Sequence, residues 1–397
     1  MDKNFMVSIE EAMELVQHTT PFGCVKKTPL LAALDLFLAK DIHAPINMPP
    51  FHQSAMDGYA VLFDETHQND FVLVDEIKAG DNKLRILNIG EAVRIFTGAP
   101  TPPNANAVIM QENTSVKENV LRIDDILSKN KNIRLMGEQI QQNQIALQKG
   151  EKLNPAAIGF LATLGITKVE VYNKPKITIV VTGNELATPG TPLEFGQIYE
   201  SNAIMLQSAL LKKGFTNISI TKVKDDYIAT KESLNTAIQE NDFVLISGGI
   251  SVGDYDFVGK ALLELNTEQI FYKIKQKPGK PMFLGKNNKT TIFALPGNPA
   301  SALTCYYIYI ESALQKFIGN PTYQKNTIDH ILENDYDKKG IRGEFLKANT
   351  NGTGVQILGS QSSAMLNTFA KANALIYLNE GVRTYKKGEV VKTFLID

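Results

Sequence analysis

The spacing of apolar positions changes three times along the chain. Residues 8–18 and 28–40 carry them at helical intervals, and in the second stretch Leu30, Leu31, Ala33, Leu34, Leu36, Phe37 and Leu38 form one broad apolar face. Both stretches are predicted helices. From about 44 to 141 the pattern shortens to β-type runs, GYAVLF, DFVLVDEI, EAVRIF, NAVIMQE and NVLRI, parted by turn residues. Residues 154–165 predict a short apolar helix that Asn154 and Pro155 open and Gly165 closes.

The third pattern is the most regular. Buried-type strands KITIVV, NISITKV, DFVLISGG and TTIFALPG alternate with helical stretches. Ser201 or Asn202 caps a helix that ends at Gly214. A polar helix lies near 230–239, DFVGKALLEL forms another, and residues 298–319 form a long one with Gly319 at its end. Such alternation predicts an α/β fold with a doubly wound parallel sheet. Ligands of these sheets bind beyond the carboxyl ends of the strands, where the Gly-rich turns of this chain fall. From about 326 to 397 the pattern returns to β, with turns at Asn351, Gly352 and Gly381, and predicts a small barrel or sandwich.

A length of 397 residues suits two to four compact units. With 41 Lys and Arg against 42 Asp and Glu, the net charge of −1 argues against a nucleic-acid binder, which needs a basic face. Cys24 and Cys305 stand far apart, and His18, His43, His52, His67 and His330 form no ligand pair, so zinc and haem chemistry are not expected. The first residues carry acids where a signal peptide has a basic end. No apolar run reaches the roughly 18–20 residues that cross a bilayer. A cytoplasmic protein without a membrane segment is expected.

Five segments of the α/β region carry the chemistry. SGGISVGDYD, residues 247–256, follows a buried strand; its glycines and serines let backbone N–H groups approach a ligand, and Asp254 and Asp256 offer hard oxygens to Mg²⁺. Gly249 to Gly253 also matches the G-x-S-x-G nucleophile elbow, with Asp256 and His330 in the chain order of a hydrolase triad. An elbow needs a helix directly after its serine, and here the loop continues. KQKPGKP, residues 275–281, sets Lys275, Lys277 and Lys280 on a turn stiffened by Pro278 and Pro281, which suits an oxyanion, although by itself the segment reads as a solvated basic hairpin. ALPGNPASA joins a strand to the long helix, with Pro299 in the first turn; it is either an anion site made by freed N–H groups or a purely structural turn. TGNEL and Asp225-Asp226 add Glu185 and Asp226 to the carboxylate inventory, although such residues often only cap helices. In the first β region, PPFHQSAMDGYAV with Asp57 and FTGAP with Thr97 read as hairpin connections.

Together SAMDGYAV, FTGAP, SGGISVGDYDF, KPGKP and LPGNPASA, in this order from residue 54 to 302, resemble the MoeA family of molybdopterin molybdenumtransferases, which includes the E domain of gephyrin. Weaker similarity continues through GEFLKA and GSQSS. The resemblance implies a molybdopterin-binding α/β domain (1–22 and 176–325), a mixed linker domain (23–43 and 142–175), a β-rich domain (44–141) and a C-terminal β-barrel (326–397), in an elongated homodimer. The implied reaction joins molybdate to the dithiolene of adenylylated molybdopterin and releases AMP with Mg²⁺ present. It also implies exchange with a molybdopterin adenylyltransferase and with molybdoenzymes or cofactor carriers.

By the same resemblance, Glu185, Asp226 and Asp256 are the metal-binding and catalytic carboxylates, and Asp57 and Thr97 come from the β-rich domain, of the partner subunit. Gly248, Gly249, Ser251, Gly253, Lys277, Lys280, Pro296, Gly297, Asn298 and Pro299 line the pterin and molybdate site, with Lys347 and Ser363 as oxyanion contacts. Lys347 stands where the family has arginine, keeping the charge without the bidentate fork. Other departures are His52 and Gln53 for Asp-Asn, Asn184 for the Asp of TGDEL, Glu200 for the Asp of DSN, and Met136 and Gln139 in the RGED string. Gln139 can neither act as a base nor supply a charged ligand. A gephyrin-like scaffold is the alternative from another class, and tungstate resembles molybdate too closely in size and charge to be separated from it.

Overall fold

The computed structural model describes residues 6–66, 69–249, 257–324 and 326–396. The chain divides into two compact units, Lys27–Val171 and Met1–Lys26 with Tyr172–Asp397.

The larger unit is built on a six-stranded sheet. Its strands are β1 (Ile177–Thr182), β2 (Ile218–Val223), β3 (Phe243–Ser247), β4 (Glu268–Lys273), β5 (Pro281–Asn287) and β6 (Thr290–Leu295), in the order β2-β1-β3-β6-β5-β4. The expected parallel arrangement holds for β2, β1, β3 and β6. β5 and β4 run antiparallel at the edge. The tight turn after Asn287, with Asn288 at φ 51°, allows only an antiparallel return. β1, β3 and β6 are buried along their whole length, as continuous apolar runs require when helices cover both faces.

The helices are α1 (Ile9–Thr19), α2 (Asn202–Lys212), α3 (Tyr227–Glu240), α4 (Phe257–Glu264), α5 (Pro299–Cys305) and α6 (Glu311–Phe317). α1 opens with a capping box: Glu11 N donates to Ser8 Oγ at 3.0 Å and Ser8 N to Glu11 Oε2 at 3.3 Å. The predicted long helix is α5 and α6 joined by a π-helical turn, Tyr306–Ile310, and Gly319 follows its end at φ 79°. Register aligns the strand ends, with Thr182 beside Val223 and Ser247 beside Leu295. The turns after β1, β2, β3 and β6 therefore share one edge.

The same unit contains the expected C-terminal barrel. Strands β7 (Ile328–Leu332), β8 (Gly343–Thr350), β9 (Gly354–Ile357), β10 (Ala374–Leu378) and β11 (Val390–Leu395) close in the order β8-β9-β7-β11-β10-β8 around Leu332, Leu346, Val355 and Ile376.

In the smaller unit, the five predicted β runs become Gly58–Val61, Asp70–Ile77, Glu91–Ile95, Ala107–Met110 and Val120–Ile123 in one sheet, with Thr114–Lys117 at its edge. The predicted helix at 154–165 is Pro155–Thr163, capped by Asn154 Oδ1 on Ala157 N at 2.9 Å. The predicted helix at 28–40 does not form. Asp35, Leu38 and Ala39 instead donate to the carbonyls of Leu153, Glu151 and Glu170, and only Leu31–Ala33 makes a 3₁₀ turn. Its apolar side chains divide between a core with Ala33 and Leu38 and an exposed side with Leu31 and Leu34. Distant strand partners outweigh a local helical pattern that Pro29 interrupts.

Candidate active site

After β1, Gly183 stands at φ 147°, and a Cβ there would come within 2.8 Å of Glu185 Oε2. Asn184 N donates to Asp225 Oδ2 at 3.1 Å and Asp225 N to Asn184 Oδ1 at 3.2 Å, so the turns after β1 and β2 are locked together. Asp226 Oδ1 caps α3 by accepting from Ala229 N at 2.8 Å. Its other oxygen and the exposed Glu185 carboxylate accept no hydrogen bond from a described residue. Mg²⁺ takes such hard oxygens, usually one or two carboxylates completed by water and substrate phosphates. Glu185 and Asp226 fit that use, although among the described residues no three His, Cys, Asp or Glu side chains gather.

After β3, Gly248 and Gly249 have φ of 93° and 67°. A Cβ on Gly248 would lie 2.5 Å from Thr182 O, and one on Gly249 would lie 2.7 Å from Val258 Cγ2. Only glycine meets both demands. Ser251, Gly253, Asp254 and Asp256 lie outside the described residues. His330 of the hydrolase alternative is buried in β7, with no open face for a substrate.

After β6, Pro296 is buried while Gly297 and Asn298 are exposed. The expectation that the start of α5 frees N–H groups for an anion is corrected here. Pro299 has none, Ala300 N donates to Ser363 O at 3.0 Å, and Ser301 N and Ala302 N both turn back to Asn298 O. Asn298 Nδ2 also reaches Ser363 Oγ at 3.1 Å, so residue 363 closes the helix end. The N–H groups left open are those of Gly297 and Asn298 themselves, which donate to no described residue.

The two lysines of the KPGKP turn differ. Lys280 is exposed, and its ammonium has no partner among the described residues. Lys277 Nζ lies 3.1 Å from Glu344 Oε1. The turn itself is shaped by buried Gln276, whose Nε2 donates to Pro278 O at 3.0 Å and Gly279 O at 3.2 Å, and whose Oε1 accepts from Tyr309 OH of the π turn. Lys347 departs from its implied contact with an oxyanion. It is 4% exposed, and its three donors go to Ser360 O, Ser362 O and Met365 O at 2.9, 3.1 and 3.2 Å. Burial lowers its pKa. It holds the loop that carries Ser363.

The sequence offers Asn202 as a helix cap and no more. It is buried, and its Nδ2 donates at 2.8 Å to both Ser247 Oγ and Gly297 O, joining the ends of β3 and β6. Its Oδ1 and the nearby Thr182 Oγ1 are buried without a partner among the described residues. Helix α2 is capped by Glu200 Oε1, which accepts from Ala203 N.

In the smaller unit Asp57 Oδ1 accepts from Thr97 N at 2.7 Å, which holds its carboxyl below the usual range, and Arg94 adds to the effect. The Arg94 guanidinium rests on the rings of Tyr59 and Phe96, 4.9 and 5.2 Å from their centres. His52 accepts from Met136 N at 2.9 Å through Nδ1, so two of the departing residues contact each other. Gln139 is exposed and takes part only through its backbone, donating to Met48 O.

Comparison with known proteins bears on the whole chain. Residues 7–165 match the MoeA N-terminal region (domain I and II), 178–316 a probable molybdopterin binding domain, and 330–396 the MoeA C-terminal region (domain IV). The molybdopterin molybdenumtransferase of Haemophilus influenzae is 32% identical over 97% of this chain and 98% of its own. That of Bacillus subtilis is 30% identical over 100% and 95%. The chain belongs to the MoeA family. A molybdopterin biosynthesis MoeA protein from Pyrococcus horikoshii has the same architecture, with a TM-score of 0.86 at 29% identity over 99% of this chain and 100% of its own. In this MoeA-family chain the edge formed by β1, β2, β3 and β6 lies within the stretch matching the molybdopterin binding domain, apart from Lys347 and Ser363, which belong to domain IV.

Proposed function

We propose that this MoeA-family enzyme transfers molybdenum from molybdate to adenylylated molybdopterin and releases AMP with Mg²⁺ bound. The observation that carries the reading is the convergence on one sheet edge of the Glu185 and Asp226 carboxylates, the Gly248-Gly249 turn and the open Gly297 and Asn298 amides. Anhydride cleavage requires phosphate charge to be neutralised and the reacting groups held in line. Glu185 and Asp226, with Asp256, would hold Mg²⁺, which when bound supplies that neutralisation. The glycine turn admits the pterin-linked phosphates to backbone contact, and Lys280, with Lys277, attracts the tetrahedral oxyanion. No helix among the described residues is long and apolar enough to cross a membrane, and the proposed location is the cytoplasm. The resemblance further supports a homodimer that receives substrate from an adenylyltransferase.

The test is AMP release from adenylylated molybdopterin and Mg²⁺, with and without molybdate, beside fluorophosphonate labelling. Molybdate-dependent release without a labelled serine is expected. Tight pterin binding without AMP release would instead mark a carrier or scaffold.

A further inference from the structure

Glu344 is a carboxylate that the fold buries, at 1% exposure. It sits in β8, whose first residues pair in parallel with the two-residue strand Gln276–Lys277, Lys277 directly opposite Glu344. Its Oε1 accepts from Lys277 Nζ at 3.1 Å and its Oε2 from Tyr336 OH at 2.8 Å. A second ammonium, that of the fully buried Lys338, donates to Gly340 O and Gly381 O and feels the Glu344 charge. The Lys277 side chain is 54% exposed, so its ammonium has a buried carboxylate on one side and solvent on the other.

We infer that Glu344 is a positioning residue that fixes Lys277 on the KPGKP turn and, as its counter-ion, weakens the hold of that lysine on an incoming oxyanion. The inference rests on the reading of Lys277 as an oxyanion contact. A lysine ammonium has three donors. Glu344 takes one and leaves two without a partner among the described residues. The carboxylate charge also repels any oxyanion that those two donors bind, and burial keeps water from screening it fully. A substrate oxyanion that leaves its site as product forms gains nothing from being held as tightly as a bare lysine would hold it.

The experiment is calorimetric titration of the full-length protein with molybdate alone, with folding followed by circular dichroism. Glu344→Gln keeps an acceptor for Lys277 and removes the charge, so molybdate should bind about fivefold more tightly. Lys277→Ala should weaken binding, and in that background Glu344→Gln should bring no gain, a coupling that a merely structural role would not produce. Tyr336→Phe removes the other donor to the carboxylate and should weaken binding about twofold by concentrating its charge on Lys277. That variant decides the matter if Glu344→Gln does not fold. If Lys277→Ala weakens binding but folded Glu344→Gln does not tighten it, or Tyr336→Phe leaves binding unchanged where Glu344→Gln is unfolded, the counter-ion role is overturned and the oxyanion reading stands. Unchanged binding in Lys277→Ala would overturn both.

Discussion

Asn184 and Asp225 each accept the other's backbone N–H, at 3.2 and 3.1 Å, and so tie the turn that carries Glu185 to the turn that carries Asp226. The resemblance implies Asp at position 184, and an aspartate oxygen would accept the same bond from Asp225 N. Asparagine therefore keeps the geometry and leaves the site with one negative charge fewer than aspartate would. Asn184→Asp should leave the fold intact and keep AMP release within about twofold. Asn184→Ala removes the acceptor and frees the two turns, and should raise the Mg²⁺ concentration for half-maximal release by roughly tenfold. Activity measured against Mg²⁺ at fixed substrate tests both. A normal Mg²⁺ dependence in Asn184→Ala would show that the lock does not position the carboxylates.

The Asn202 side chain performs a comparable task one strand further along. Its amide spans β3 and β6, and Gly297 O can only accept, so the amino group must point there. Asn202→Leu removes both hydrogen bonds and leaves the buried Ser247 Oγ without this donor, at a cost of about 2 kcal/mol. A lower melting temperature together with reduced AMP release is expected. Reduced release with unchanged melting would assign Asn202 to the ligand rather than to the sheet edge.

Most of the α/β unit was legible because its strands are continuous apolar runs ended by glycine, and register then brings their turns to one edge. Within KITIVVT, DFVLIS and TTIFAL, the strands Ile177–Thr182, Phe243–Ser247 and Thr290–Leu295 are buried at every position. The family strings likewise marked the Gly248-Gly249 turn, where positive φ and a lack of room for Cβ both demand glycine. What stayed hidden depends on partners distant in sequence. Residues 28–40 carry a helical pattern, yet their N–H groups find the carbonyls of Glu151, Leu153 and Glu170. Nothing local to Ala300 announces that Ser363 O caps it, and nothing near Lys347 announces three carbonyls around its ammonium. Lys277 and Lys280 look equivalent on their turn until β8 supplies Glu344 to one of them.

Lys347 separates a structural role from an electrostatic one. Because its three donors hold the loop that presents Ser363, Lys347→Met should remove a donor from three carbonyls and loosen the cap on α5. Hydrogen exchange at Ala300 N should then rise, while the molybdate requirement should change no more than in Ser363→Gly. The charged form is also costly where it is buried: its pKa falls below 10.5 in the folded chain, so the folded state gives up this proton first. This contribution makes stability rise with pH between the folded-state pKa and 10.5, and the methionine variant should lack that rise. Thermal melting across alkaline pH tests the sign.

The two lysines of KPGKP should part company in a stability measurement as well as in binding. Lys280 is exposed with no partner among the described residues, so Lys280→Ala should raise the molybdate requirement severalfold and leave the melting temperature within a degree or two. Lys277→Ala strands Glu344, a carboxylate 2% exposed at its side chain, with Tyr336 as its one remaining hydrogen-bond donor among the described residues. Removing one partner of a buried ion pair is costly because the other charge remains. Half-exposure of Lys277 tempers that cost, and a loss of about 1–2 kcal/mol is expected. Glu344→Gln in the same chain should return most of that stability without restoring molybdate binding. Binding lost in Lys277→Ala and recovered in the double variant would mean that the single change acted by disturbing β8, and that Lys277 itself does not touch the oxyanion.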